Sequence, residues 1–188
     1  ASKAAADIAT QSWRSSFGDH PISIARAGNV IGGGDIADNR LLPDLINCFI
    51  KNESPKLRFP EATRPWQHVL DCLNGYLILI NKQLNEGVAG EWNFSPPVSP
   101  SHTVADVADL AADLWGSDQK WRPDLTEHKT ETTTLILDSS KARNELSWSE
   151  KLSFEESIVW TIDFYKEVNN GKNQRNVLEN QINKYLNL

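Results

Sequence analysis

The feature that most constrains the fold is an alternation of amphipathic helices with single short strands. Several helix limits are signalled locally: Thr103 precedes one helix, and Ser153 with Glu156 forms a capping box before another. The predicted helices span residues 2–17, 42–52, 69–86, 103–115 and 154–169, with a short helix that Ser139 or Ser140 caps and that ends at Leu146. The predicted strands span residues 22–26, 56–59, 91–94 and 133–137. This order predicts an α/β protein.

Four scattered strands are too few for a complete doubly wound sheet, whose parallel strands need crossover partners. The 188 residues contain no Met and begin at Ala1, which predicts that the start of the protein lies upstream. An N-terminal half would supply the missing strands. At the other end, the tail 172–188 is predicted to form a last docked helix, with one apolar face made of Leu178, Ile182, Tyr185 and Leu186.

Composition excludes several classes of protein. A hydrophobic content of 39% with seven Trp is incompatible with a disordered chain. Nineteen Lys and Arg against 25 Asp and Glu give a net charge of −6, which argues against a general nucleic-acid binder. The longest apolar run, residues 77–80, is too short to cross a membrane, and two cysteines do not suggest a disulfide framework. We expect a cytoplasmic globular protein with no nucleic-acid or membrane partner.

Single motifs are uninformative. The glycine run at residues 32–34 opens no helix as a dinucleotide fingerprint would, and no Gly-Lys-Ser/Thr follows it; a flexible loop is the alternative interpretation. No metal is expected, because the histidines do not stand at ligand spacing. The histidines are His20, His68, His102 and His128.

Several segments are more specific in combination. They are a strand ending at Arg26 and followed by Asn29-Val30-Ile31-Gly32, then Arg40-Leu41-Leu42-Pro43, Arg64-Pro65-Trp66-Gln67-His68-Val69, Trp92-Asn93-Phe94, and Asp138-Ser139-Ser140-Lys141-Ala142 with Leu146 and Trp148. Together they resemble the extended short-chain dehydrogenase/reductases that act on nucleotide sugars. Ile31 replaces the family's usual Tyr, and Ser147 replaces a Gly. Asp35 with Arg40 five residues on, and the tail Gln181-Ile182-x-x-Tyr185, are most similar to the branch of 4,6-dehydratases that act on CDP-glucose.

The resemblance implies an NAD-dependent lyase of deoxyhexose and polysaccharide biosynthesis, which binds a CDP-sugar and acts as a homo-oligomer. It implies the C-terminal part of a Rossmann-type doubly wound parallel sheet plus a small mixed α/β substrate-binding lobe. Residues 1–34 would end the NAD-binding domain and residues 35–188 would mainly form the lobe, with 69–95 returning to the sheet. Residues 22–26 and 91–94 would then lie in one parallel sheet, and residues 56–59 would pair with 133–137.

The same resemblance implies roles for individual residues. Lys3 would be the Lys of a Tyr-x-x-x-Lys motif whose Tyr stands upstream of Ala1, so the chain would hold half an active site and be inactive alone. Its ammonium would lower the pKa of that Tyr and bind the nicotinamide ribose, beside Ala27. The residues by themselves favour the alternative, a surface Lys3 that pairs with Asp7, four residues on, and only the resemblance reverses this preference.

For the substrate, the resemblance points to Arg40 and Arg64 as ligands of the diphosphate, because a guanidinium grips phosphate oxygens bidentately. Asn29 would bind oxygens of the substrate or of a pyrophosphate. The alternatives are that both arginines are solvated surface side chains and that Asn29 is a turn residue. The nucleoside would be walled by Leu41, Leu57 and Phe59, with core packing as the alternative. Arg26 is expected to be a buried structural partner rather than a ligand, and Trp66 is the one tryptophan expected near the site.

Two alternatives to this function remain open at the level of the sequence. One is another epimerase or dehydratase of the same superfamily. The other is a module that binds a nucleotide sugar without chemistry.

Overall fold

A computed structural model describes residues 2–18, 20–99, 101–127 and 132–188. The helices in these ranges are α1 (Ser2–Ser16), α2 (Leu41–Ile50), α3 (Val69–Glu86), α4 (Val104–Trp115), α5 (Ser140–Leu146), α6 (Phe154–Asn169) and α7 (Gln174–Leu186). The strands are β1 (Ser23–Ala27), β2 (Asn29–Ile31), β3 (Lys56–Leu57), β4 (Thr63–Arg64), β5 (Trp66–His68), β6 (Gly90–Phe94), β7 (His102–Thr103) and β8 (Arg122–Pro123).

Strands β1 and β6 form a parallel pair, in register from Ser23 opposite Gly90 to Ala27 opposite Phe94. This confirms the predicted parallel pairing of residues 22–26 with 91–94. Helix α3 makes the crossover and packs closely on the pair: a Cβ at Gly75 would lie 2.3 Å from the Phe94 ring. Glycine at this position therefore lets the helix approach the sheet.

A second packing unit is built from helices α2, α4 and α6. Their apolar faces meet in one core that includes Leu45, Val107, Ala111, Ile158 and Ile162. The predicted caps hold two of these helices in place. Thr103 and Asp106 make a capping box at α4, and Ser153 with Glu156 makes one at α6.

The predicted pairing of residues 56–59 with 133–137 is wrong. Strand β3 instead pairs in parallel with β8, where the backbone N–H groups of Arg122 and Asp124 donate to the carbonyls of Pro55 and Leu57. The 133–137 segment makes only an isolated bridge, between Thr134 and Thr63. Its β-branched alternation indicates extended backbone, but it does not specify which strand will be a neighbour.

The loops predicted over residues 28–39 and 60–67 also contain short strands. Strand β2 pairs in parallel with β5, and β4 pairs antiparallel with β7. Each of these strands has three residues or fewer, so it carries no readable alternation of side chains. All three residues of β5 are buried, so the sequence lacks the alternation of polar and apolar residues that marks a half-exposed strand.

The buried Asp71 carboxylate joins three parts of the chain. It accepts from the backbone N–H groups of Lys151 (2.8 Å) and Leu152 (3.3 Å) and from the Tyr185 hydroxyl (2.6 Å). Burial raises the pKa of this carboxyl, and the three hydrogen bonds oppose the rise. The start of α3, the segment before α6 and helix α7 are thus held together.

Helix α7 docks as predicted, but on a different face. Val177 and Tyr185 are its buried residues, whereas Ile182 and Leu186 are exposed. The Tyr185 bond to Asp71 sets this orientation, because a hydroxyl with a buried acceptor turns its side of the helix inward.

Two helices leave broad apolar faces uncovered. Helix α1 buries no side chain, and Trp13 and Phe17 are exposed although packing is the default for such rings. Helix α3 exposes an apolar stripe made of Leu73, Leu77, Ile80 and Leu84. Among the helices described, none has the length and apolar content needed to cross a membrane.

Candidate functional site

A cleft of ≈ 1530 Å³ runs from the β1 edge of the parallel pair to the second packing unit. Helix α1 and the carboxyl end of β1 form one side, and the opposite side consists of α2, β3 and the segment that links them. Every residue that the resemblance assigns to the site lies on this cleft: Lys3, Ala27, Asn29, Arg40, Leu41, Leu57, Phe59 and Arg64. Residues far apart in sequence are therefore brought to one concave surface.

Lys3 is exposed on the first turn of α1. The alternative pairing with Asp7 is not formed, because the Asp7 carboxylate accepts from Arg26 Nε at 2.6 Å. Arg26 also reaches Asn93 Oδ1 at 3.5 Å, so it has the structural partners expected of it, but its side chain is 36% exposed and lines the cleft rather than being buried. No described residue forms an ion pair with Lys3, so its ammonium faces the cleft uncompensated.

Ala27 and Asn29 lie where the chain passes from β1 into β2. Ala27 ends the parallel pair, and the Asn29 N–H donates to the Pro65 carbonyl at 3.0 Å. This backbone bond fixes the Asn29 residue, while its side-chain amide makes no hydrogen bond to any described residue. A small side chain and an amide thus border the cleft at the carboxyl end of β1, the edge where ligands bind in such sheets.

The two candidate phosphate ligands differ in how firmly they are held. Arg64 Nη1 donates to the carbonyls of Thr63 (2.8 Å) and Thr133 (3.3 Å), which fixes its guanidinium against the backbone. Arg40 stands just before α2 and is exposed, with no side-chain bond to the helix terminus. Arg40 therefore depends on its backbone for its position.

The sequence offered two interpretations of Leu41, Leu57 and Phe59, nucleoside contact and core packing, and the structure contains elements of both. Leu57 is only 3% exposed and belongs to the core, so the core-packing alternative holds for its side chain even though the residue lines the cleft. Leu41 packs against the same core and Phe59 is half-buried. Trp66 also lines the cleft, and its indole N–H donates to the His102 carbonyl at 3.3 Å.

Sequence reasoning missed several charged residues of the cleft. Lys56 and Arg58 flank Leu57, which faces inward. Because side chains alternate along a strand, this pattern could have predicted that the two cations lie on the opposite side of the strand from Leu57. The parallel register also places Arg122 opposite Lys56. The cleft includes the acids Asp35, Asp44 and Glu53 as well, and burial raises the pKa of Asp44 while the Arg58 guanidinium opposes that rise.

Two of the described histidines, His68 and His102, have structural surroundings, whereas His20 is exposed. His68 Nδ1 accepts from the Leu70 N–H at the start of α3, and burial lowers the pKa of His68 to about 4. The His102 ring stacks on Phe154 with ring centroids 3.6 Å apart. His128 lies outside the described residues. In the part of the chain that the structure describes, no three His, Cys, Asp or Glu residues are grouped as metal ligands would be.

A second cavity of ≈ 270 Å³ adjoins the cleft at Arg64 and Trp66. Its walls are mainly apolar, and Glu150, one of its carboxylates, is bonded to Arg143 at 2.6 Å. The larger cleft is the better candidate site, because its Lys3 and Arg40 form no ion pair with any residue that the structure describes.

Comparison with known proteins agrees with this geometry. Residues 1–94 match the NAD dependent epimerase/dehydratase family, and the chain belongs to that family. The chain is 34% identical to the CDP-glucose 4,6-dehydratase of Salmonella typhimurium, over 98% of this chain and 54% of the relative. It is 24% identical to the dTDP-glucose 4,6-dehydratase of Haemophilus influenzae, over 88% of this chain and 50% of that protein. The chain thus spans about half the length of the curated relatives it matches.

Solved structures confirm the fold class. The dTDP-glucose 4,6-dehydratase of Bacillus anthracis, solved in complex with NAD, superposes with a TM-score of 0.73 at 21% identity, over 90% of this chain and 52% of that one. The UDP-N-acetylglucosamine 4-epimerase of Methanobrevibacter ruminantium gives a TM-score of 0.75 at 20% identity, over 88% and 52%. The fold is the α/β class expected: part of a Rossmann-type sheet joined to a smaller mixed lobe.

Proposed function

We propose that this chain is the C-terminal portion of an NAD-dependent 4,6-dehydratase that converts CDP-glucose to CDP-4-keto-6-deoxyglucose. The observation that carries the proposal is the convergence of all the residues assigned to the site on one cleft. The preference for CDP-glucose rests on the Salmonella typhimurium relative, which is 34% identical over nearly the whole chain. Residues 1–34 would end the NAD-binding domain, and residues 35–188 would mainly form the sugar-nucleotide lobe, with 69–95 returning to the sheet.

The groups at the carboxyl end of β1 fit the nicotinamide ring and the ribose attached to it in NAD. Lys3 offers an ammonium with no described acidic partner, suited to ribose hydroxyls, and Ala27 leaves room for a planar ring. When bound, NAD supplies the acceptor for the hydride of the sugar C4 carbon. The part of Lys3 would be to favour the phenolate form of a Tyr one helical turn before it, since a nearby cation lowers a phenol pKa. That Tyr would serve as base towards the sugar 4-hydroxyl.

Arg40 and Arg64 would bind the diphosphate of the substrate. Both line the cleft, and their charges are the kind that charge-assisted bonds to phosphate oxygens require. Asn29 would donate its amide to substrate oxygens. Leu41 and Phe59 would flank the nucleoside with their exposed edges, and Leu57 would do so through its backbone.

The rest of the Rossmann sheet would cover the apolar faces of α1 and α3. Parallel sheets are normally covered on both faces, yet β1 and β6 form only a two-stranded pair here. The doubled length of the curated relatives supports this completion. By the same relationship the whole protein would be a cytoplasmic homo-oligomer.

The test uses Arg40→Ala, Arg64→Ala and Lys3→Ala in the full-length chain that carries this sequence. Each arginine variant is expected to weaken CDP-glucose binding roughly ten- to hundredfold and to leave NAD binding nearly unchanged, because a charge-assisted bond to phosphate is lost. Lys3→Ala is expected to lower kcat while sparing CDP-glucose affinity. Calorimetry and steady-state kinetics measure the two effects.

Arg175→Ala is the matched control, since Arg175 lies on α7 and pairs with Glu179 away from the cleft. Arg64→Lys separates loss of charge from loss of the backbone contacts of Arg64. Unchanged CDP-glucose binding in both arginine→Ala variants would refute the substrate assignment. Binding without turnover by the unmodified full-length chain would favour a non-catalytic module.

A further inference from the structure

One wall of the cleft includes a segment that packs closely at its glycine end and is exposed beyond it. Residues 32–40 link β2 to α2, and Gly32, Asp35, Asn39 and Arg40 of this segment line the cleft. Its outer part is exposed, with Ile36 at 89%. Because the Arg40 side chain makes no hydrogen bond or ion pair with any described residue, its position follows the backbone of this segment.

The C-terminal helices hold the middle of this segment from behind. The Tyr165 hydroxyl on α6 donates to the Asp35 carbonyl at 2.6 Å. The neighbouring Phe164 ring lies flush against Gly33, where a Cβ would come within 2.2 Å of a ring carbon. Gln174 at the start of α7 approaches Gly34, whose φ of +87° suits glycine. The glycine run is thus explained by close packing against α6 and by backbone conformation.

The helices that make these contacts are themselves firmly anchored. Gln181 Nε2 on α7 donates to the Trp160 carbonyl on α6 at 2.7 Å, which ties the two helices to each other. The Phe164 side chain is fully buried. Helices α6 and α7 therefore form a rigid support, and their contacts with residues 33–35 can hold the exposed remainder of the segment in place.

We propose that Tyr165 is a positioning residue: its hydroxyl tethers residues 32–40 and so presents Arg40 to the cleft. The proposal rests on the proposed function, because the ligand whose affinity it sets is the nucleotide sugar. A segment that is already ordered loses less conformational freedom on binding, and this strengthens affinity without any new contact. Burial raises the pKa of Tyr165 to about 12, so the phenol keeps its proton at neutral pH and remains a donor.

A matched pair of substitutions tests the tether in the full-length chain. Tyr165→Phe and Tyr185→Phe each delete one phenolic hydroxyl from the C-terminal helices, but only Tyr165 contacts the segment that lines the cleft. In Tyr165→Phe we expect the ¹⁵N order parameters of residues 33–39 to fall below about 0.6. CDP-glucose affinity should weaken about three- to tenfold, as the loss of one hydrogen bond implies, with kcat nearly unchanged.

In Tyr185→Phe both the order parameters and the affinity should match the unmodified protein, although its melting temperature falls. Equal losses of affinity in the two variants would overturn the proposal, because they would reflect general destabilisation. Unchanged order parameters in Tyr165→Phe, or loosened residues with unchanged affinity, would also overturn it. Failure of the unmodified protein to bind CDP-glucose would refute the proposed function instead, and the order parameters, which need no ligand, would still decide whether the tether exists.

Discussion

His68 caps helix α3 with its imidazole. Nδ1 accepts from the Leu70 N–H at 3.3 Å, so the proton of the neutral ring stands on Nε2, which is buried without a hydrogen-bond partner among the described residues. The ring lies edge-on to Trp160, with centroids 5.8 Å apart. A protonated ring would lose the cap and place a charge in an apolar site, which is why burial lowers the pKa of His68 to about 4.

This pKa predicts acid sensitivity with a defined sign. The folded value of about 4 lies below the ordinary 6.5, so the His68 contribution to stability is complete above pH 6.5 and is lost as the pH falls towards 4. Between pH 7.5 and pH 5 the unfolding free energy should fall by about 2 kcal/mol on this account. Denaturant titration at each pH measures it.

His68→Asn retains a capping acceptor but has no titrating ring, so its stability should lack this component of the pH dependence. His20→Asn, at an exposed position, is the control and should follow the unmodified protein. A pH dependence of His68→Asn parallel to that of the unmodified chain would contradict the assignment.

Among the elements, the helices with reciprocal caps are those whose limits the sequence marks most clearly. The boxes at α4 and α6 are local, because hydroxyl and carboxylate lie three residues apart. Helix α5 differs. Neither Ser139 nor Ser140 caps it with a side chain; the Asp138 carboxylate accepts from the Ser140 N–H at 2.8 Å. Ser139 Oγ instead donates to the buried Ser95 carbonyl, a partner 44 residues away.

Ser153→Ala should therefore lower the unfolding free energy by about 1 kcal/mol, because it leaves an N–H at the start of α6 without its acceptor. Ser153→Asn keeps an acceptor at the cap and should retain most of the stability. Chemical denaturation of the three proteins tests this. Equal losses in the Ala and Asn variants would assign the effect to packing around Ser153 rather than to the cap.

At the scale of the whole molecule, the feature to explain is the exposed apolar stripe of helix α3. Leu77 is 66% exposed, on the side of the helix opposite Gly75 and Leu79, which face the β1–β6 pair and its core. If the remainder of the proposed longer chain covers this side of α3, the surface becomes core.

Leu77→Glu should change the stability of the 188-residue chain by no more than about 0.5 kcal/mol, as exposed substitutions do. In the full-length chain the same change should cost more than about 3 kcal/mol, because it buries a charge without a partner. Leu186→Glu on α7, at a position 70% exposed, should be nearly neutral in both. A neutral Leu77→Glu in the full-length chain would mean that α3 stays uncovered.

The sequence by itself determined what depends on near neighbours in the chain. Helix α3 begins and ends where its pattern predicts, the boxes at Thr103 and Ser153 form, and the two longest strands pair in parallel. The residues that the family motifs assign to a site likewise line one cleft. Periodicity and capping depend on residues three to eight positions apart, so they can be recognised in the sequence without knowledge of the tertiary structure.

Only the tertiary structure decided contacts between distant segments. It alone shows that β3 pairs with β8 and that Asp7 bonds to Arg26 rather than to Lys3. It also shows that Tyr185 of α7 bonds to Asp71 and that the glycine run packs against Phe164. Strands of two or three residues carry no pattern to select a neighbour. A buried polar group takes whichever donor or acceptor the packing brings near, because leaving it unpaired costs more than any local preference gains.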